Sequence, residues 1–129
     1  MTLIAIGINH KTSPIEVREK FFLRPLEREL LLSVLKNDPR IVSAITLSTC
    51  NRTEIYAHLI ADDPAFLLQP LFKIKNLAWQ DNGDQIFYIK KDRQMVEHLL
   101  QVTCGLDSLV IGEKQILGQV KEAVHLSRR

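Results

Sequence analysis

The order of apolar patterns along the chain constrains its fold more than any other feature of the sequence. Short β-branched or alternating runs predict strands at residues 3–8, 41–47, 54–60 and 85–89. Apolar residues at helical spacing predict helices from Pro25 to the stop at 37–39 and over 64–75, and a polar loop follows the first strand at 9–14. The order βαββαβ is typical of the ferredoxin-like arrangement, in which two helices pack on one face of a four-stranded antiparallel sheet. We therefore predict the α+β class.

Two more helices are predicted after the sheet. Asp92 offers an N-cap to the first of them, and Gly105 is a natural stop. The second begins near Glu113, and its pattern still runs at 126–129 without a cap, glycine or proline. From this pattern we expect residues 1–129 to be a truncated fragment of a longer chain.

Length, charge and hydropathy narrow the class of protein. A chain of 129 residues suits one domain with a single core. Its net charge of +2 is too small and too scattered to indicate nucleic-acid binding or to exclude it. No run approaches the roughly 20 apolar residues of a membrane helix, and the N-terminus lacks the basic region and cleavage site of a signal peptide. We expect a soluble protein of the cytoplasm or, in a plant, of the plastid stroma.

The two cysteines, Cys50 and Cys104, show no CxxC or Cys/His spacing suited to zinc, so no metal site is expected. The sequence leaves a disulfide between them open. A cytosolic chain of this size does not need one, and we expect two free thiols. Gly105 and Gly112 follow a helical pattern and lack the GxGxxG spacing, so no dinucleotide site is predicted either.

Cys50 is the residue most suited to chemistry. It lies in the polar stretch 48–53 between two predicted strands, flanked by Thr49, Asn51 and Arg52. A thiol in such a loop is accessible, and a neighbouring guanidinium stabilises a thiolate, which is the nucleophilic form. The alternative is a small packed residue near a strand end, because free cysteines are usually buried. The residues alone leave both interpretations open.

The run Leu-Ser-Thr-Cys-Asn-Arg-Thr-Glu-Ile-Tyr at 47–56 resembles the active-site signature of glutamyl-tRNA reductases. Residues 7–14 resemble the start of that family and 105–121 its second signature; the resemblance spans the chain and is weakest at 60–90. It implies that the cysteine attacks the ester joining glutamate to the 3′ end of tRNA(Glu). NADPH would then reduce the thioester to glutamate-1-semialdehyde, the first step of tetrapyrrole biosynthesis. The resemblance implies that NADPH binds to a further domain of the full-length enzyme, and that the last helix of residues 1–129 begins the linker to it.

The resemblance also implies a set of site residues. Cys50 takes the place of the family's nucleophile and His98 that of its second catalytic residue, although a lone helical histidine is more often a boundary residue. Arg52 would clamp the γ-carboxylate of glutamate by paired hydrogen bonds, its alternative being a solvated loop arginine. Lys114 stands where the family commonly has a proline, and Cys104 lies outside both signatures and is expected to be packed. The positions implied to bind substrate are Thr49, Asn51, Arg52, Ser108, Glu113, Lys114, Gln115 and Gln119.

The implied partners are glutamyl-tRNA(Glu), the aminotransferase that takes the unstable aldehyde, and a second copy joined through C-terminal helices that this chain lacks; no membrane is implied. Two other functions stay open. A ferredoxin-like sheet can bind single-stranded RNA by base stacking, for which Tyr56 and Tyr88 are the candidates. A cysteine hydrolase unrelated to tRNA would need a supported Cys/His pair.

Overall fold

The computed structural model describes residues 2–60, 63–78, 86–104 and 114–128. Its strands are β1 (Thr2–Asn9), β2 (Ile41–Ser48), β3 (Arg52–Leu59) and β4 (Tyr88–Lys91). Its helices are α1 (Ile15–Phe21), α2 (Pro25–Lys36), α3 (Ala65–Ile74), α4 (Arg93–Thr103) and α5 (Lys114–Ser127). The strands form one sheet in the order β2-β3-β1-β4, and every neighbouring pair is antiparallel. The predicted α+β, ferredoxin-like order is confirmed.

One face of the sheet packs against α2 and α3 mainly through apolar side chains, although the buried Thr46 and Thr53 lie on the same face. On β1, Ile4, Ile6 and Ile8 point to this face, because alternate residues of a strand share a side of the sheet. We call this cluster the aliphatic layer. Its other buried members include Leu31, Leu35, Ile55, Ala57, Leu59, Leu67, Leu68 and Leu71, and the rings of Phe21, Phe72 and Phe87.

The opposite face, which we call the α4 face, has a smaller apolar cluster and a polar centre. Ala5, Tyr56, Met95 and Val102 belong to the cluster, and Val120 brings in α5. The last helix is also held against β2, since the hydroxyl of Ser127 donates a 2.5 Å hydrogen bond to the Ala44 carbonyl. Both faces of the sheet are therefore covered. No helix in the described ranges is both long and apolar enough to cross a membrane.

One helix was not predicted, and two local expectations were wrong. Helix α1 follows directly on the loop at 9–14, in a stretch for which no element was predicted. Strand β4 begins at Tyr88 rather than at residue 85, and Phe87 packs into the aliphatic layer ahead of it. Asp92 precedes α4 without capping it: its Oδ1 accepts from the Leu3 N–H at 3.1 Å, and its own N–H donates to the Leu3 carbonyl at 2.7 Å. This side chain therefore extends the β1–β4 pairing. Gly105 lies outside the described residues.

Candidate active site

Cys50 lies at the tip of the hairpin that joins β2 to β3. The turn is closed by the Thr49 N–H, which donates to the Arg52 carbonyl at 2.8 Å. The Thr49 hydroxyl oxygen also accepts from the backbone N–H groups of Asn51 at 3.1 Å and Arg52 at 3.2 Å. Cys50 is exposed and is not in a disulfide, and Asn51 is half-buried beside it. The expected open thiol is therefore present at this tip.

The base of the hairpin is fastened to the segment that ends α1. The Ser48 hydroxyl oxygen accepts from the Leu23 N–H at 2.9 Å and lies 3.1 Å from the Thr53 hydroxyl. Thr53 in turn donates to the Phe21 carbonyl at 3.3 Å. These bonds join the hairpin to backbone groups of α1 and of its connection to α2. They therefore fix the position of the turn that carries Cys50.

The guanidinium in contact with Cys50 comes from Arg18, a residue that sequence reasoning did not identify. Its Nη1 donates to the Cys50 carbonyl at 3.3 Å, from one turn before the end of α1. The Arg18 side chain is half-buried, and its Nε makes no hydrogen bond. No sequence pattern pointed to Arg18, because the helix that positions it was itself not predicted.

Arg52 was expected in the loop. It is instead the first residue of β3, and only 1% of its surface is exposed. Its Nη1 lies 3.3 Å from Oε1 of Glu54, and both side chains are inaccessible to solvent. The physical reason is the period of the strand, which turns residues 52, 54 and 56 to the α4 face. Arg52 is therefore half of a buried ion pair, and its binding of glutamate stays a prediction.

The carboxylate of Glu54, which sequence reasoning also missed, is the centre of a buried hydrogen-bond network. Oε1 accepts from Arg52 and from the Tyr56 hydroxyl at 2.8 Å, and Oε2 accepts from the Tyr88 hydroxyl at 2.5 Å and pairs with His98 Nε2. Burial alone would raise the pKa of the Glu54 carboxyl, but the hydrogen bond from His98 and the charge of Arg52 outweigh it, and the pKa is lowered. Burial, reinforced by the charge of Glu54, raises the pKa of Tyr56, so that hydroxyl keeps its proton.

Gly7 makes room for this network. In the middle of β1 it stands opposite Glu54 on one side and Tyr88 on the other, so all three share one row across the sheet. A Cβ at this position would lie 2.5 Å from the Thr53 carbonyl oxygen and 2.7 Å from Cγ of Glu54. The missing side chain is what allows Glu54 and Tyr88 to meet over β1.

His98 occupies the middle of the buried face of α4, between Met95 and Val102. Its ring stacks on Tyr56, with centroids 6.3 Å apart, and meets Tyr88 edge-on at 5.4 Å. It also borders a cavity of about 220 Å³. The other residues lining this cavity are Asn9, Lys11, Thr12, Tyr88, Lys90 and Gln101.

Of the remaining predicted substrate-binding residues, only Gln119 has a described side chain. Ser108 and Glu113 lie outside the described residues, as do the side chains of Lys114 and Gln115 in the first turn of α5, and Gln119 is exposed on that helix. Cys104 is exposed at the end of α4, so the expectation that it would be packed was wrong.

Two kinds of ligand site find no support in this geometry. Among the residues that the structure describes, no group of three or more His, Cys, Asp or Glu could hold a metal ion. Since every ladder of the sheet is antiparallel, the described strands form no parallel βαβ unit of the kind that binds a dinucleotide, and these residues do not fit NADPH.

The two tyrosines proposed for base stacking are not available for it. Tyr56 is 2% exposed, and its hydroxyl is bonded to Glu54. Tyr88 is half-buried and is bonded to the same carboxylate. In the part of the chain that the structure describes, helices pack on both faces of the sheet, and neither tyrosine offers a free ring for stacking, so the RNA-binding alternative loses the two residues on which it was based.

A family model, curated relatives and a solved structure that resemble this chain all carry the same family description. The family described as "Glutamyl-tRNAGlu reductase, N-terminal domain" matches residues 6–129. The glutamyl-tRNA reductase of Photobacterium profundum is 40% identical over 128 residues, which are 99% of this chain and 30% of that protein. That of Legionella pneumophila is 45% identical over 123 residues, 95% of this chain and 28% of the relative. The solved structure of the glutamyl-tRNA reductase from Methanopyrus kandleri superposes with a TM-score of 0.75 at 31% identity, covering 98% of this chain and 28% of that one. The chain thus spans less than a third of the length of these relatives.

Proposed function

This chain belongs to the glutamyl-tRNA reductase family, whose N-terminal domain it matches, and we propose that it performs the acyl-transfer half of that reaction. In this proposal Cys50 is the nucleophile, and the substrate is the ester of glutamate with the 3′-terminal ribose of tRNA(Glu). The observation that carries the proposal is the position of Cys50, exposed at the tip of a hairpin whose base is fastened to α1.

The proposed step exchanges an oxygen ester for a thioester. The Cys50 sulfur attacks the glutamyl carbonyl carbon, a C–S bond forms, and the C–O bond to the ribose breaks. The thiol proton ends on the ribose oxygen, so the products are a glutamyl thioester and tRNA with a free terminal hydroxyl. A thioester accepts hydride more readily than an oxygen ester, so covalent capture divides a difficult reduction into two easier steps.

The hairpin supplies the groups proposed to receive the glutamyl moiety. Thr49 and Asn51 flank the thiol, and a hydroxyl that accepts two backbone N–H groups can still donate its own hydrogen to a substrate. Arg18 donates to the Cys50 carbonyl and places a positive charge beside the turn that carries the thiol. Arg52 is inaccessible to solvent beside Glu54, so we propose that it contacts the γ-carboxylate from β3 only when substrate binding uncovers its guanidinium. Ser108, Glu113, Lys114, Gln115 and Gln119 are proposed to line the rest of the site.

The second half of the reaction is proposed for the whole protein. Two-electron reduction of the thioester by NADPH would give glutamate-1-semialdehyde, the entry to tetrapyrrole synthesis. The described residues do not fit the dinucleotide, so we assign its binding to the part of the relatives that this chain does not cover. The aminotransferase that accepts the aldehyde and a second copy of the whole protein are the proposed partners.

Trapping the thioester tests this proposal. The chain is mixed with glutamyl-tRNA(Glu), the reaction is quenched in acid, and the mass of the intact protein is measured by mass spectrometry. We expect a glutamyl adduct that hydroxylamine releases. Cys50→Ser should lose the adduct, whereas Cys104→Ser, which alters the other exposed thiol, should keep it. An adduct that persists in Cys50→Ser would contradict the assignment. Equal reactivity with a free glutamate ester would instead indicate a hydrolase indifferent to tRNA.

A further inference from the structure

We infer that Glu54 is a positioning residue, which fixes His98 with hydrogen on Nε2 and leaves Nδ1 as the nitrogen that exchanges protons. The inference rests on the proposed function, because it assigns a task to His98 in acylation of Cys50. In that task Nδ1 takes the thiol proton as the sulfur attacks and returns it to the ribose oxygen as the C–O bond breaks. The proton balance of the step is unchanged.

The protonation pattern follows from the count of donors around Glu54. An ionised carboxylate only accepts hydrogen bonds and has about four acceptor positions. Arg52 and Tyr56 occupy two of them on Oε1, and Tyr88 and His98 occupy two on Oε2. The lowered pKa of Glu54 keeps it in this acceptor-only form. His98 Nε2 must therefore donate, and in a neutral imidazole the lone pair then resides on Nδ1.

The orientation of the imidazole is fixed by the same groups. Tyr56 stacks on the ring and Tyr88 meets its edge, and both phenols end on the carboxylate that holds Nε2. The ring can turn only if it leaves Glu54 and displaces both phenols. Triad enzymes use a buried carboxylate in the same manner, to hold one nitrogen of a histidine while the other works.

Gly7 connects this arrangement to the sheet. Without a side chain at that point of β1, Glu54 reaches across the strand to Tyr88 and to α4. Glu54 on β3 and His98 on α4 are thus both held by regular secondary structure rather than by loops. Such placement keeps a working group within the narrow tolerance that proton transfer requires.

Glu54→Gln is the direct test, because glutamine has the same shape but carries no charge and replaces one acceptor oxygen by a donating amide nitrogen. Ring nitrogens of His98 are observed by NMR in the 15N-histidine-labelled chain. We expect the Nε2–H form in the parent chain and a shift towards the Nδ1–H form in the variant. The rate of glutamyl-adduct formation should fall by about 10²- to 10⁴-fold, the range for loss of acid–base assistance, with KM within about threefold. Glu97→Gln on the exposed side of the same helix is the matched control and should leave both readouts unchanged.

Tyr88→Phe keeps the test decisive if Glu54→Gln does not fold. It removes one donor from Oε2 at a half-buried position without stranding a buried donor. We expect folded protein, retained Nε2–H, increased mobility of the ring in NMR relaxation, and adduct formation slowed by about 3- to 10-fold, which corresponds to one hydrogen bond. An unchanged rate together with an unchanged ring would overturn the inference.

The failures of the two proposals are distinguishable. If the parent chain forms no adduct, the proposed function fails, and the tautomer of His98 still tests the role of Glu54. If the parent chain forms the adduct and Glu54→Gln forms it equally fast with the same tautomer, the proposed function stands and the positioning role is overturned.

Discussion

Replacing Gly7 with alanine should destabilise the chain, although alanine normally stabilises a strand relative to glycine. The new Cβ would lie 2.5 Å from the Thr53 carbonyl oxygen and 2.9 Å from Cα of Glu54, both backbone atoms, and 2.7 Å from Cγ of Glu54. Ordinary Cβ contacts begin at 3.4 Å, so β3 must retreat from β1 by about 0.9 Å at this row. The strain falls on the central strand pair of the sheet.

The expected magnitude combines three effects. Overpacking of this kind costs about 1–3 kcal/mol. Weakened hydrogen bonds to the charged Glu54 add about 1.5–3 kcal/mol, and the lower chain entropy of alanine offsets about 0.5–1 kcal/mol. We expect a net loss of about 1.5–5.5 kcal/mol, or a fall in Tm of roughly 6–22 °C at about 4 °C per kcal/mol.

Gly118→Ala is the matched control, since a Cβ there meets nothing within 4 Å. In the helix interior this change should raise stability by about 0.5–1 kcal/mol. Both variants are measured by urea unfolding followed by circular dichroism. If Gly7→Ala is as stable as the parent chain, the argument that the glycine is required for close approach of β3 is wrong.

Three more outcomes follow from the same geometry. Arg52→Met leaves Glu54 as an uncompensated buried charge and should cost about 3–5 kcal/mol in urea unfolding, of which the double variant with Glu54→Gln should recover a part. The pKa of Glu54 is lowered in the folded chain, because the hydrogen bond from His98 and the charge of Arg52 outweigh the opposing effect of burial. Its contribution to stability is therefore complete above the unfolded value of about 4.5 and is lost as the pH falls through the folded value, so the free energy of unfolding should drop less steeply in acid for Glu54→Gln. Cys50 and Cys104 should both react with a thiol reagent in the absence of denaturant, and each Cys→Ser variant should lose one equivalent; a thiol that reacts only after unfolding would contradict its exposure.

The sheet could be predicted because its strands have strong periodic patterns. The isoleucines of β1 and the alternation in β2 and β3 indicate buried strands whatever the partner, and their order restricts the topology. Helix α1 could not be predicted this way, since its seven residues bury only Phe21 and so show no apolar stripe. It exists because tertiary bonds to the β2–β3 hairpin hold it. The start of β4 likewise depends on register, which begins where Tyr88 pairs with Gly7.

The candidate site was predictable at Cys50 and only partly elsewhere. Alternation places Arg52, Glu54 and Tyr56 on one side of a strand, a pattern visible in the sequence that would have indicated a buried polar group. The convergence of Tyr88 and His98 on that carboxylate could not be foreseen, because they lie 34 and 44 residues further along the chain. Such contacts are set by the packing of β4 and α4.

The separation of the two sides of the sheet has a practical consequence for anyone who wishes to engineer this chain. Buried charges usually leave a protein less robust than an all-hydrocarbon interior would. Here the buried charges lie on the side towards α4, while the contacts beneath α2 and α3 are mostly hydrocarbon and include no buried charge in the core cluster. Consensus or cavity-filling substitutions beneath α2 and α3 should therefore raise the free energy of unfolding without changing any group that is proposed to take part in acylation.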